Sequence, residues 1–133
     1  MATTRRNSTW FRSASLSACL LALAAPAVAD DAPAWQGYWA ENAAFCARAG
    51  EGGENAPDYY GPDGIFGLEW SCDIRSVTPT GIGQSWAVEM QCLDMGDSYG
   101  QSQIFMITHA DRLLVIDEYG ATHDLVRCAK QPE

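Results

Sequence analysis

Four cysteines and two histidines are the side chains best suited to chemistry in this chain, and their spacing favours cross-links over turnover. Cys46, Cys72, Cys92 and Cys128 are separated by 26, 20 and 36 positions. That spacing supplies neither a C-x-x-C redox pair nor a zinc knuckle. His109 and His123 are the only histidines. Neither belongs to H-E-x-x-H or stands at ligand spacing from another His or Cys, so both read as solvated or structural. The serine-nucleophile motifs G-x-S-x-G and S-x-x-K are missing. Carboxylate pairs such as Asp117-Glu118 and Asp94 with Asp97 exist, but 17 acids guarantee near neighbours. A glycosidase needs one acid of raised pKa in a cleft, and a single small core leaves little room for one. The stretch Asp58-Tyr-Tyr-Gly-Pro-Asp63-Gly carries loop carboxylates without EF-hand spacing. No catalytic residue, metal site or cofactor is expected. An enzyme using His109 or His123 with a carboxylate ranks last among the readings.

The N-terminus sets the compartment. Arg5, Arg6 and Arg12 form a basic region, Leu16 to Ala25 an apolar one, Pro26 breaks it, and Ala27-Val28-Ala29 is an A-x-A cleavage site. Residues 1–29 therefore read as an export signal. Leu16-Ser17-Ala18-Cys19 also fits a lipobox, which would lipidate Cys19. A lipobox follows the apolar stretch, however, and here the strongest run, Leu20 to Ala25, comes after Cys19. Cutting after Ala29 leaves residues 30–133, a single domain by length. With Cys19 removed, four cysteines remain in an oxidising compartment, the periplasm or outside the cell, and read as two disulfides. No other stretch approaches the roughly 20 apolar residues of a membrane span. Cleavage also removes three of the eight basic residues, leaving five against 17 carboxylates, so the formal charge moves from −9 to −12. Nucleic acid and anionic lipid are poor partners for that field, and a basic protein or a cation is a suitable one.

Elements that position these residues follow from hydrophobic period. Trp35 to Trp39 is aromatic-rich. Glu41 to Ala49 suits a short helix capped by Asn42 and ended by Gly50, with Phe45 and Cys46 facing the body. Glu51 to Gly64, with four Gly and two Pro, reads as a loop. From Ile65 the period becomes two. Leu68, Trp70, Cys72 and Ile74 share one face, and Trp86, Val88, Met90 and Cys92 share the inner face of the next strand, across a turn over residues 78–83. Asp94 to Gly100 reads as a polar loop. Three further strands, over residues 101–108, 112–117 and 122–128, are joined by turns at residues 109–111 and 118–120. The expected fold is mainly β: five antiparallel strands in a meander that curls into a small disulfide-linked barrel or curved sheet, preceded by a short N-terminal helix.

The cysteines allow three pairings. Cys72 and Cys92 lie on apolar faces of neighbouring strands, equidistant from the turn near Ile82, and could bond directly, leaving Cys46 with Cys128. Paired strands are already hydrogen-bonded, and a short loop gains less from closure. The preferred pairing is therefore Cys46–Cys72 with Cys92–Cys128, though spacing does not settle it.

Aromatics beside acids and glycines are the remaining candidate site. Tyr59, Tyr60, Asp94, Asp97 and Tyr99 fall in expected loops, and exposed tyrosine amid Gly and Asp is what protein-binding loops use. The same rings could instead fold back over the barrel mouth. A pocket lined by Trp70, Trp86, Met90 and Phe105 is the alternative site.

The block GIFGLEWSCDIRSV, WAVEMQC, LLVIDEYG and LVRC resembles a group of small exported bacterial four-cysteine domains of unknown function. That group has a Trp-rich start, an early Cys, a G-x-E-x-x-C strand, a W-x-V-x-x-C strand, a D-x-L-x-V strand and a terminal R-C. Gly67, Glu69 and Cys72, then Trp86 and Val88, then Asp111 to Val115, then Arg127-Cys128 carry the likeness. The Val88-to-Cys92 spacing departs from it. In architecture alone the expected fold is similar to periplasmic inhibitor barrels that block lysozymes or secreted proteases, whose inserted residues are not matched here. The leading expectation is a non-enzymatic periplasmic or secreted binding protein, in its most concrete form an inhibitor of a basic hydrolase. A barrel binding a small apolar ligand is the alternative, and a structural role in the envelope is open.

Overall fold

The computed structural model describes residues 32–49 and 53–129. Residues 1–29, read as an export signal, with Cys19, and the expected helix-ending Gly50 lie outside the described residues. Eight strands follow in sequence: β1 (Gly37–Ala40), β2 (Asp58–Tyr60), β3 (Gly64–Phe66), β4 (Trp70–Pro79), β5 (Gln84–Asp94), β6 (Asp97–His109), β7 (Arg112–Asp117) and β8 (Thr122–Arg127). Each pairs antiparallel with the next, and β8 pairs with β1 to close a barrel. The expected antiparallel barrel is thus present, but with eight strands rather than five. The three additional strands come from the aromatic start, from the segment read as a loop, and from a break at residues 67–69 that divides the strand expected from Ile65 onward. They are only three or four residues long. Strands that short show no period of two and acquire their geometry from their neighbours.

The helix is shorter and tighter than expected. A 3-10 helix spans Ala43–Arg48, with the Asn42 side chain accepting from the Ala44 amide at 2.8 Å as a cap. Phe45 and Cys46 are its least exposed members. No helix among the described residues is long and apolar enough to cross a membrane.

Alternation of β4 and β5 is as read from Trp70 onward, whereas Leu68 precedes β4 and is exposed. A bulge between Ile74 and Ser76 shifts the register of β4 and turns Val77 toward the core. The β4–β5 turn occupies residues 80–83. The Ser85 hydroxyl, though buried, bonds the Thr80 hydroxyl and the Ile82 carbonyl. The segment read as a loop from Asp94 to Gly100 is instead the end of β5 and the start of β6. Only Met95 and Gly96, both at positive φ, make the turn, a two-residue hairpin of the kind that matches strand twist. Asp117 closes the β7–β8 turn by accepting from the amides of Tyr119 and Ala121.

The core lies inside the barrel around Trp35, Trp39, Ile65, Val88, Phe105 and Leu113, all at 1% exposure or less. Trp35 packs on Phe105 at 5.5 Å and its carbonyl accepts from the Trp39 indole N–H. Arg127 fastens the N-terminal lead to the last strand. Its guanidinium donates to the carbonyls of Ala34 and Gln36, and lies 4.1 Å from the Trp39 ring centroid, a cation–π contact. Gly37 makes room for it. At φ +137° a Cβ would be strained, and it would meet the guanidinium at 2.9 Å.

The two disulfides are Cys46–Cys128 and Cys72–Cys92. This corrects the preferred pairing. Cys72 and Cys92 are directly opposed in the β4–β5 register and both face inward, so the closest cross-strand position brings their sulfurs together. Meanwhile the 3-10 helix packs on β1 and β8, carrying Cys46 to Cys128, far from Cys72 in the ladder. Disulfide stapling of this kind is a property of oxidising compartments.

Candidate functional site

Register determines which side chains share the barrel interior. Residues directly paired across strands point to the same face. From buried Trp39, the β1–β2 pairing places Asp58 inward, and alternation then brings Tyr60 inward and Tyr59 outward. On β6 the inward series is Tyr99, Gln101, Gln103, Phe105 and Ile107, as their partners Cys92, Met90, Val88, Trp86 and Gln84 indicate. On β8 it is His123 and Leu125, opposite Val115 and Leu113. The interior is therefore graded along the strands. Phe105, Ile107 and Leu113 fill one part, and Gln101, Gln103, Asp58 and His123 line the other.

The polar part is not filled. A cavity of about 360 Å³ opens there, lined among others by Asp58, Glu41, Phe45, Tyr60, Trp70 and His123. An adjoining one of about 260 Å³ reaches Asp94, Tyr99, Gln101 and Met90, and shares Tyr60, Trp70 and Gln103 with the first. The larger volume lies within the usual range for small-molecule sites, which favour the mouths of barrels. A core this small was expected to leave little room for a cleft. Eight strands enclose more space than five, and short polar side chains on β2, β6 and β8 do not occupy it.

Asp58 is half-buried at the start of β2. Burial and the nearby Glu41 carboxylate push its pKa up to about 6, because desolvation and like charge both disfavour the ionised form. Burial, then the Asp58 charge, push the Tyr60 hydroxyl further above its ordinary value. Tyr60 therefore stays a neutral donor at the wall.

Trp70 forms the wall common to both cavities, and Gly67 sets its position. The Gly67 amide donates to the Trp70 carbonyl at 3.0 Å, and the indole folds over the glycine. A Cβ on Gly67 would stand 2.1 Å from the indole nitrogen. Gly67→Ala is expected to swing Trp70 out of the wall, at a cost of about 1–2 kcal/mol for the displaced packing. Denaturant unfolding and a red-shifted tryptophan emission would report it. Unchanged emission would mean that the indole is not held by this contact.

The residues singled out as partner-binding loops are in strands. Tyr60, Asp94 and Tyr99 come together on the wall of the smaller cavity. Tyr59 is on the exterior, where it stacks with Tyr38 and Phe66 at 5.0 and 6.3 Å. Asp97 is exposed, opposite Asp94 beside the Met95-Gly96 turn. Of the alternative pocket, Trp70 and Met90 line cavities, Phe105 is fully buried in the core, and Trp86 is half-buried beside it in register. His109 ends β6 and His123 is near the start of β8, both in exposed positions, and His123 also lines the larger cavity. Glu41 and the two glutamines were not singled out from sequence, where Asp58 reads only as a loop carboxylate able to ligate calcium. The x-Q-x-Q alternation from Gln101 into Phe105 carried a signal, since inward glutamines on an otherwise apolar face mark a polar lumen. Among the described residues, no three His, Cys, Asp or Glu side chains are grouped so as to hold a metal ion.

No protein-family model, curated protein or solved structure matches the chain.

Proposed function

We propose that the chain is a non-enzymatic binding protein, acting in the periplasm or after secretion, that takes a small ligand into the mouth of its barrel. The observation carrying this reading is the open cavity of about 360 Å³ in which aromatic walls alternate with a few polar groups, beside an apolar core packed around Phe105 and Leu113. Such a mixture gives burial energy from the rings and orientation from the polar atoms. The four described cysteines are bonded to one another and the described lining of this cavity includes no Ser, Thr or Lys, which argues against those nucleophiles; Asp58, Glu41 and His123 do share that lining, so acid–base chemistry is the competing reading. The test is a titration of the oxidised protein with N-phenyl-1-naphthylamine, a neutral fluorophore, read by its emission and by energy transfer from tryptophan. Saturable binding that weakens in Trp70→Ala is expected. The absence of saturable binding would sink the proposal.

A second reading, an inhibitor of a basic hydrolase, is favoured by the β5–β6 hairpin. Its tip residue Met95 is 84% exposed at φ 46°, and exposed Leu93 and Tyr99 flank it among Asp94 and Asp97. An apolar residue held outward in a left-handed conformation is strained for no gain in packing, which suits insertion into a partner. Acidic surroundings would speed encounter with a basic protein. Lysozyme and a basic secreted protease, titrated against the protein at low and moderate salt, test it. Salt-sensitive binding lost in Met95→Asp supports it, and no binding to either removes it.

A further inference from the structure

We propose that the mouth cavity is a site for a small organic cation, a primary amine or quaternary ammonium, held by the Asp58 carboxylate, with Glu41 on the same lining, and by the rings of Trp70, Tyr60 and Phe45. The inference rests on the small-ligand reading above and names the ligand's chemistry. Three observations carry it.

The first is uncompensated charge. Asp58 faces into the cavity, Glu41 shares the lining, and the described lining contains no Lys or Arg. The ion pairs of the described residues, Arg75–Asp73 and Arg112–Asp124, lie on the exposed surface instead. A carboxylate withdrawn from water without a cation is costly, and a cationic ligand is what offsets that cost.

The second is the wall. Phe45, Tyr60 and Trp70 present rings to the same volume as Asp58. Electron-rich ring faces around an acid are the arrangement that recognises ammonium groups. A neutral apolar ligand would gain from the rings but would leave Asp58 desolvated. An anion would be repelled. Tyr60, 6% exposed, is rigidly seated against Phe105 at 5.5 Å, so this part of the wall is preformed.

The third is the state of Asp58 itself. Its carboxyl, pushed up to about 6 by burial and by Glu41, is destabilised when ionised, and a cation placed beside it reverses that effect. The barrel already uses the same physics once, where the Arg127 guanidinium sits over Trp39.

Matched pairs of probes test the proposal. Choline is compared with 3,3-dimethylbutan-1-ol, its uncharged carbon isostere, and benzylamine with benzyl alcohol, by calorimetry and tryptophan fluorescence at pH 7.5 and low salt. At least one cation is expected to bind tenfold or more tightly than its neutral partner. In Asp58→Asn that preference should collapse while binding of the alcohol persists, and circular dichroism and a melting curve check that the variant is folded. Equal affinity within both pairs, or a preference that survives Asp58→Asn, overturns the cation assignment and leaves the small-ligand reading standing. Binding of N-phenyl-1-naphthylamine without binding of either cation has the same meaning. Failure of every probe, charged or neutral, overturns both.

Discussion

Replacing Cys46 and Cys128 together by alanine should lower the unfolding free energy by about 4 kcal/mol, more than the same replacement of Cys72 and Cys92. The first bridge closes a loop with a sequence separation of 82, the second one of 20. Loop-closure entropy alone gives about 4.5 and about 3.3 kcal/mol respectively. The native contacts widen the difference. Cys72 and Cys92 sit between strands held by a long ladder of backbone hydrogen bonds, whereas the 3-10 helix has few contacts, mainly to β1 and β8. Without the Cys46–Cys128 bridge that helix is tethered only through the chain on either side. Phe45, next to Cys46, would then leave the cavity wall. The paired variant should therefore also lose ligand affinity, by about tenfold, since an aromatic wall residue is typically worth about 1–2 kcal/mol. Urea unfolding of both paired variants, with probe titration under native conditions, checks both effects. A larger loss for the Cys72/Cys92 pair would show that native packing around that bridge, not chain entropy, dominates. Unchanged affinity in the Cys46/Cys128 variant would show that the helix is not part of the site.

Which of these features the sequence made legible follows from how each is determined. β4 to β8 were readable because each has six or more residues, and Trp86-x-Val88-x-Met90-x-Cys92 spells out one buried face directly. Asn42 was readable as a cap because its chemistry is local. β1 to β3 were not readable, since Gly37–Ala40, Asp58–Tyr60 and Gly64–Phe66 are too short to alternate. What makes them strands is the unpaired edges of β4 and β8, which need partners to avoid exposed backbone groups. The missing strands also account for the unseen site. Asp58 in a glycine-rich loop looks solvated, and only its pairing opposite Trp39 turns it inward. The disulfides failed for a related reason. A loop-entropy argument ranked the pairings by how much each stabilises, whereas register decides which sulfurs can meet at all. Cys72 and Cys92 are direct cross-strand partners, and the symmetric spacing about Ile82 was the stronger signal.

Asp58→Asn should stabilise the fold at neutral pH while weakening its binding of cations. The sign follows from the raised pKa. In the unfolded chain Asp58 ionises near its ordinary value of 3.8, and in the folded barrel only near 6. Between these values the unfolded state releases a proton that the folded state keeps, so stability from this group falls as pH rises from about 4 to about 6 and is flat above. Of the groups that share the cavity with Asp58, Glu41, following β1, reinforces the penalty, Tyr60 stays neutral throughout, and His123 lines the same cavity from β8. Discounted for the water that reaches a half-buried group, the cost of ionised Asp58 is about 1–2 kcal/mol at pH 7. Asparagine is nearly isosteric and carries no charge, so the variant should match the parent at pH 4 and exceed it by about that amount at pH 7 in urea unfolding. Saturating choline should narrow the gap from the parent's side, because a cation bound to the folded state alone raises its stability by mass action and in the variant meets only the exposed Glu41 carboxylate. A variant less stable than the parent at pH 7 would mean that the Asp58 carboxylate stabilises the barrel mouth. A stabilised variant that no longer distinguishes choline from its isostere would identify Asp58 as a group retained at the expense of stability for what it binds.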